Sequence, residues 1–216
     1  MSLGESIRSG TKWLMLGKVG NRFMEFAFGI ALARLLVPAD FGMIATISVF
    51  TGFVGMFTAG GMGQSLIRAK VADENDFTAV FTLQLAMGVL VYLGFYIAAP
   101  WIAAFFEEPL YADLIRVSVL SFLLRPFLVM RNAWLNREMN FKSRSIVDVG
   151  TGLFTGAAST AMAFAGMGVW SLTLSGLFAG LLKNFWLARI TPLRLQVNLD
   201  VATMRKHSAY GAKIVA

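Results

Sequence analysis

The chain has 216 residues, of which 57% are hydrophobic and 14% are charged, and its mean hydropathy is +0.67. These values differ strongly from those of average water-soluble domains and indicate a membrane protein. The sequence contains no cysteine, which excludes disulfides, thiolate metal sites and cysteine nucleophiles. The net charge of +7 does not indicate nucleic acid as a partner, because most Lys and Arg lie in short loops between apolar runs.

Apolar runs of about twenty residues, the length that crosses the hydrocarbon core of a bilayer, recur along the chain. They predict six transmembrane helices at about 12–36, 43–67, 77–105, 111–133, 146–165 and 168–190, and a seventh that begins at 204. The connecting segments are short and have turn composition. The predicted fold is therefore an all-α, polytopic membrane helix bundle. Its N-terminal six-helix lobe covers 1–200, and a cytoplasmic segment with the start of a truncated seventh helix covers 201–216.

Positive charge concentrates in alternate loops. Cations precede the first predicted helix and follow the second, fourth and sixth, whereas the intervening loops are mostly acidic. The cations are Arg8, Lys12, Arg68, Lys70, Arg131, Arg137, Lys142, Arg144, Lys183, Arg189, Arg194, Arg205 and Lys206. Because cytoplasmic loops retain Lys and Arg, this pattern predicts a multi-pass protein whose N-terminus lies in the cytoplasm.

The first predicted helix carries four polar side chains near its middle: Lys18, Asn21, Arg22 and Glu25. Their spacing places Lys18, Arg22 and Glu25 on one helix face, with Asn21 beside them. A charge at the centre of an isolated transmembrane helix costs from about 3 to well over 10 kcal/mol, so this face should line an interior cavity. The alternative is that Arg22 and Glu25 neutralise each other and serve only in helix packing.

The fourth predicted helix adds two cations, Arg116 and Arg125. Arg125 is followed by Pro126, which frees a backbone carbonyl that a membrane tolerates only beside protein or a wet cavity. Arg125 is therefore predicted to face the same cavity as the first helix. Arg116 is a weaker cavity candidate, since it could equally extend outward toward Asp113 and the lipid headgroups. Gln64 is another weaker candidate, because helix capping or interfacial solvation explains it about as well.

Small residues recur at a spacing of four in the last two predicted helices, at Gly152 and Gly156 and at Gly176 and Gly180. Small residues let helix backbones approach closely in membranes. The pattern predicts that these two glycine faces pack against each other.

Signatures of catalysis are weak. The single histidine, His207, lies in a predicted cytoplasmic segment, and no glycine-rich phosphate loop precedes a Lys-Ser or Lys-Thr pair. No catalytic residue, metal site or cofactor is predicted, and the chain is not expected to be an enzyme.

Four short motifs resemble a known family: SGTKW at 9–13, LARLLVPADFG at 32–42, GGMGQSLIRAK at 60–70 and REMNFK at 137–142. In order and spacing they resemble signatures of the polysaccharide transporter family, the lipopolysaccharide and exopolysaccharide flippases of the MOP superfamily, and colanic-acid exporters above all. The resemblance implies two six-helix lobes around a cavity. It also implies that an undecaprenyl-diphosphate-linked oligosaccharide is moved across the bacterial inner membrane. The implied partners are that substrate, membrane lipids and a glycan polymerase or export machinery.

Members of this family are about twice as long, so the resemblance covers a first lobe and lacks the C-terminal lobe. We interpret the chain as part of a longer protein. The alternative is a half-size unit that pairs with itself or with a separately encoded second half.

The charge pattern and the resemblance agree on one kind of ligand. A diphosphate is anionic, and the guanidinium fork of arginine matches phosphate oxygens. Lys18, Arg22 and Arg125, with Asn21 beside them, are therefore candidate ligands of the anionic headgroup. Glu25 is predicted either to position Arg22 or to take part in proton or cation coupling. Two other functions stay open: a multidrug or cation antiporter, and a non-transport scaffold of a glycan assembly complex.

Overall fold

The computed structural model describes residues 3–59, 66, 74–193 and 195–197. Within these ranges the elements are helices and no strand occurs, so the all-α prediction is confirmed for the described part of the chain. The helices are α1 (Leu3–Leu35), α2 (Pro38–Ala59), α3 (Glu74–Phe105), α4 (Leu110–Ser118), α5 (Ser121–Arg137), α6 (Phe141–Phe164) and α7 (Trp170–Ile190).

Two helices begin earlier than their apolar runs. α1 begins at Leu3, and α6 begins at Phe141, five residues before its predicted start. Asn140 caps α6, since its Oδ1 accepts a hydrogen bond from the Ser143 N–H at 3.2 Å. The polar residues in the first turns of α1 and α6 are helical, although they lie outside the apolar runs from which these helices are predicted. Gln64 and the predicted seventh helix lie outside the described residues.

The prediction of a single helix over 111–133 is wrong, because α4 and α5 are separate. At the junction the Leu120 and Phe122 N–H groups donate to carbonyls three residues back, at 3.2 and 3.0 Å, which is the tighter 3₁₀ pattern. Pro126 lacks an N–H, so it cannot bond the Phe122 carbonyl. Gly88 of α3 admits that carbonyl, since a Cβ on Gly88 would lie 2.7 Å from the Phe122 oxygen.

Two stretches of the described chain, Pro38–Gly55 and Asn75–Phe105, are long and apolar enough to cross a membrane. α1 is longer than either, but it carries Lys12, Lys18, Arg22, Glu25 and Arg34. α5 has only 17 residues. The predicted number of six transmembrane helices is therefore not confirmed and stays a prediction.

The chain divides into two compact units, and the division falls inside α2. The first unit comprises Met1–Ile47 and Leu135–Ile190, and so contains α1, α6 and α7. The second comprises Ser48–Trp134 and Thr191–Ala216, and contains α3, α4 and most of α5. Among its described residues, an apolar cluster is formed by Leu66, Phe77, Val80, Phe81, Met130 and Ala133.

In the first unit, α6 packs against both α1 and α7. The side of α6 that carries Gly152 and Gly156 faces α1: a Cβ on Gly152 would lie 2.7 Å from Asn21 Oδ1, and the Phe28 ring takes the space a Cβ on Gly156 would need. In the described part of the chain, no neighbouring atom lies within 4 Å of a Cβ on Gly176. The prediction that the two glycine faces pack together is therefore wrong. A spacing of four defines a smooth helix face, but not the helix that packs on it.

Candidate functional site

A groove of about 600 Å³ runs between α1, α6 and α7, entirely within the first unit. Its volume lies within the range of about 300–1,000 Å³ that is usual for small-molecule sites. Its lining is Asn21, Met24, Glu25, Phe28, Gly29 and Leu32 of α1, Asp148, Thr151, Gly152, Thr155, Gly156 and Ser159 of α6, and Leu172, Ser175, Ala179, Gly180 and Lys183 of α7. We call this space the α1–α6–α7 groove.

The groove exists because α6 and α7 present mainly small side chains to it. Glycine, alanine, serine and threonine predominate in the lining of these two helices. Gly156 is the clearest case, since the Phe28 ring takes the space that a Cβ there would need. The small residues therefore leave room for the larger α1 side chains and for the groove beside them.

The hydroxyl groups of the groove donate to their own helices. The donor and acceptor pairs are Thr151 to Val147 at 2.8 Å, Thr155 to Thr151 at 2.7 Å, Ser159 to Gly156 at 3.0 Å and Ser175 to Leu172 at 3.2 Å. A hydroxyl has one hydrogen and two lone pairs. With that hydrogen bonded to a carbonyl, each of these groups offers the groove only an acceptor.

Asp148 brings a carboxylate to the wall of the groove. Its Oδ1 lies 2.6 Å from Lys183 Nζ of α7, and its Oδ2 lies 3.7 Å from Arg144 Nε of its own helix. The side chains of Asp148 and Lys183 are 26% and 28% exposed. The pair therefore ties α6 to α7 in a largely buried position.

Sequence reasoning missed this pair. The loop pattern predicts Lys183 to be a cytoplasmic cation that follows the sixth predicted helix, but it lies inside α7, which ends at Ile190. The available signal was that the fifth predicted helix carries one carboxylate, Asp148, and the sixth carries two cations, Lys183 and Arg189, which favours pairing when the two helices are neighbours.

The polar residues predicted on α1 separate into two positions. Asn21 and Glu25 line the groove, and Asn21 Oδ1 is buried without a hydrogen-bond donor among the described residues. Lys18 and Arg22 do not line it and lie on the exposed side of α1. Arg22 Nη1 lies 2.8 Å from Glu25 Oε2, and these side chains are 86% and 63% exposed. The Arg22–Glu25 pair therefore stands at the rim of the groove.

The two cations predicted in the fourth helix lie in the second unit. Arg125 is partly buried, and its Nη1 would lie 2.6 Å from a Cβ on Gly55, so Gly55 admits the guanidinium. Arg116 Nη1 lies 3.6 Å from Asp113 Oδ1, and its Cζ lies 4.8 Å from the centre of the Tyr96 ring. The contact with Asp113 matches the interpretation in which the Arg116 side chain extends outward toward Asp113, and the Tyr96 ring adds a cation–π contact. The cavity that Arg125 was predicted to share with α1 stays a prediction.

Comparisons with known proteins agree on one class of relative. A family model described as "Polysaccharide biosynthesis protein" matches residues 31–216. The succinoglycan biosynthesis transport protein ExoT of Rhizobium meliloti is 26% identical over 81% of the chain and 37% of its own length. The teichuronic acid biosynthesis protein TuaB of Bacillus subtilis is 24% identical over 68% of the chain and 31% of its own length.

The lipopolysaccharide biosynthesis protein WzxC of Escherichia coli is 23% identical over 68% of the chain and 30% of its own length. The chain thus spans about a third of the length of the curated relatives it matches. No solved structure matches it significantly. The family match covers most of the chain and confirms the resemblance seen in its motifs, so the chain belongs to the family of polysaccharide biosynthesis proteins.

Proposed function

We propose that the chain forms part of a transporter that moves an undecaprenyl-diphosphate-linked oligosaccharide across the bacterial inner membrane during polysaccharide assembly. Membership of the polysaccharide biosynthesis family, with a relative named as a transport protein, supports this function. The two apolar stretches support a location in a membrane. The observation that carries the proposal is the exposed cationic side of α1 next to the α1–α6–α7 groove.

The cations of α1 are suited to an anionic headgroup. Lys18 and Arg22 lie one helical turn apart, and both are exposed. A diphosphate that leaves water loses its hydration shell, and charge-assisted hydrogen bonds from these groups replace part of it. Arginine adds a planar fork that bonds two phosphate oxygens at once. We assign Arg125 the same role as a third cation of the full transport path.

Glu25 holds Arg22 in this arrangement. The 2.8 Å contact between them fixes the guanidinium on the outer side of α1 and leaves its other N–H groups free to bond phosphate. Transport coupled to a proton or cation gradient is part of the proposal, and Glu25 is the candidate coupling group. Glu25→Gln separates the two roles. A positioning role reduces export at every gradient, whereas a coupling role changes the dependence of export on the gradient.

The test replaces Arg22 in cells whose surface glycan depends on the gene for this chain. Arg22→Ala should abolish most export while membrane insertion stays normal, and Arg22→Lys should keep part of the activity because an ammonium lacks the fork. Arg34→Ala is the matched control, since Arg34 is an exposed arginine of α1 that lies about 120° around the helix from Arg22. Surface glycan and protein in the membrane are measured together. Normal export by Arg22→Ala at a normal protein level would refute the proposal.

A further inference from the structure

We propose that the α1–α6–α7 groove binds the saccharide part of the substrate, whose hydroxyls donate hydrogen bonds into it. The diphosphate then stays outside the groove, on Lys18 and Arg22. This inference rests on the proposed function and adds to it a separate subsite with its own chemistry.

The polar groups that line the groove are mainly hydrogen-bond acceptors. The side-chain hydroxyls of Thr151, Thr155, Ser159 and Ser175, four residues that line the groove, all donate to backbone carbonyls, so toward a ligand they act as acceptors. Asn21 adds a buried amide oxygen for which the described residues provide no donor. Glu25 and Asp148 add two carboxylates, whereas Lys183 is the single cation among the described lining residues, and its Nζ lies 2.6 Å from Asp148 Oδ1. The groove therefore accepts hydrogen bonds more readily than it donates them.

This balance selects among ligands. A diphosphate only accepts hydrogen bonds, so inside the groove it would meet lone pairs and two carboxylates, and the single cation of the described lining, Lys183, is already paired with Asp148. A purely apolar group would leave the acceptors without partners, which is costly for buried polar atoms. A neutral sugar has hydroxyls that donate to the acceptors. The carbon faces of its rings can pack on apolar side chains such as Phe28, Leu32 and Leu172.

The groove adjoins the cationic side of α1. Asn21 in the groove is the sequence neighbour of Arg22 outside it. Glu25 lines the groove and also bonds Arg22 at 2.8 Å. In the proposed substrate the first sugar is attached directly to the diphosphate. Adjoining sites for an anion and for a polyol match that connection.

The experiment uses the purified chain in lipid nanodiscs and saturation-transfer NMR. The probes are free, uncharged tri- and tetrasaccharides of glucose, galactose and N-acetylglucosamine, with inorganic pyrophosphate as the competitor. We expect saturation transfer to at least one sugar, with no displacement by pyrophosphate. Gly180→Leu should abolish the transfer, because Gly180 lines the groove. Gly176→Leu, on the same helix but outside the groove lining, should preserve it.

Milder variants test the hydrogen bonds without filling the groove. Thr155→Val and Ser175→Ala remove one acceptor each and should weaken sugar binding about two- to tenfold. Thr46→Val is the matched control, because Thr46 Oγ1 donates to the Gly42 carbonyl at 3.0 Å in the same way but does not line the groove. Circular dichroism of each variant shows that the helices are retained.

The inference is overturned if no sugar of the panel shows transfer, if Gly180→Leu binds sugar normally, or if pyrophosphate displaces the sugar. Its failure is separate from failure of the proposed function, since the free probes carry no diphosphate. Normal export by Arg22→Ala together with sugar binding in the groove would refute the proposed diphosphate site and leave this inference standing. Loss of export in Arg22→Ala, together with no sugar binding in the groove, would refute this inference and leave the proposed diphosphate site standing.

Discussion

Replacing Glu25 with glutamine tests which medium surrounds the charged side of α1. Arg22 and Glu25 are 2.8 Å apart, and their side chains are 86% and 63% exposed. If that side faces a water-filled path, the pair contributes about 0.2–1 kcal/mol, as exposed ion pairs do. If it faces lipid, Glu25→Gln leaves an unpaired arginine in hydrocarbon, at a cost of about 2.5–3.5 kcal/mol. The proposed function requires that loss of the Arg22–Glu25 pair has the smaller of these two free-energy costs.

The Asp148–Lys183 pair provides an internal comparison. Its atoms approach to 2.6 Å, and its side chains are only about a quarter exposed. Breaking a fully buried pair costs about 3–5 kcal/mol, and an exposed pair contributes less than about 1 kcal/mol. For this intermediate burial we expect Asp148→Asn to lower the free energy of unfolding by about 2 kcal/mol.

The assay is detergent-induced unfolding in lipid bicelles, followed by the fluorescence of the five tryptophans at low and high salt. Glu25→Gln should lower the free energy of unfolding by about 1 kcal/mol or less, and salt should reduce that effect because exposed charges are screened. Asp148→Asn should have the larger effect and the weaker salt dependence. A loss of about 2.5 kcal/mol or more for Glu25→Gln, unchanged by salt, would place Arg22 in lipid and refute the reasoning.

Three further predictions concern packing, backbone strain and orientation. Gly156→Ala should destabilise the first unit by about 1–3 kcal/mol through overpacking against the Phe28 ring. Gly176→Ala should be neutral or stabilising, and equal losses of the free energy of unfolding for the two variants would contradict this. Met139 has a φ of 51° and is 55% exposed. Met139→Gly should therefore raise the free energy of unfolding by about 1 kcal/mol, and a decrease in that free energy would show that the Met139 side chain packs. A cysteine at Gly42 should react with an impermeant thiol reagent added outside cells and one at Ser143 should not; the reverse result would invert the predicted orientation.

Helix identity followed from the sequence because it depends on local properties. Apolar runs of sufficient length predicted helices at the positions of α3 and α7, within a few residues of the observed ends. The order of four short motifs indicated the family that the comparisons confirm. The helical spacing of Arg22 and Glu25 allows an ion pair between them. That pair is part of the alternative interpretation of α1, in which the two side chains neutralise each other.

Partners between helices were decided only by the tertiary structure. The sequence located Gly152 and Gly156 on one face, but the packing of α1 on α6 brought Asn21 and Phe28 to that face. Asp148 and Lys183 are 35 positions apart, and only the packing of α6 on α7 joins them.

The acceptor character of the groove also required the structure. A serine or threonine can donate or accept, and the sequence does not specify which carbonyl takes its hydrogen. Within α6 and α7 these hydroxyls donate to a backbone carbonyl about one turn back, and the three-helix packing brings the residues that carry them to one space. Composition and periodicity determined the helices of this protein, and four short motifs indicated its family. The long-range contacts determined which polar groups share a site, because a site is formed by side chains from helices that are distant in the sequence.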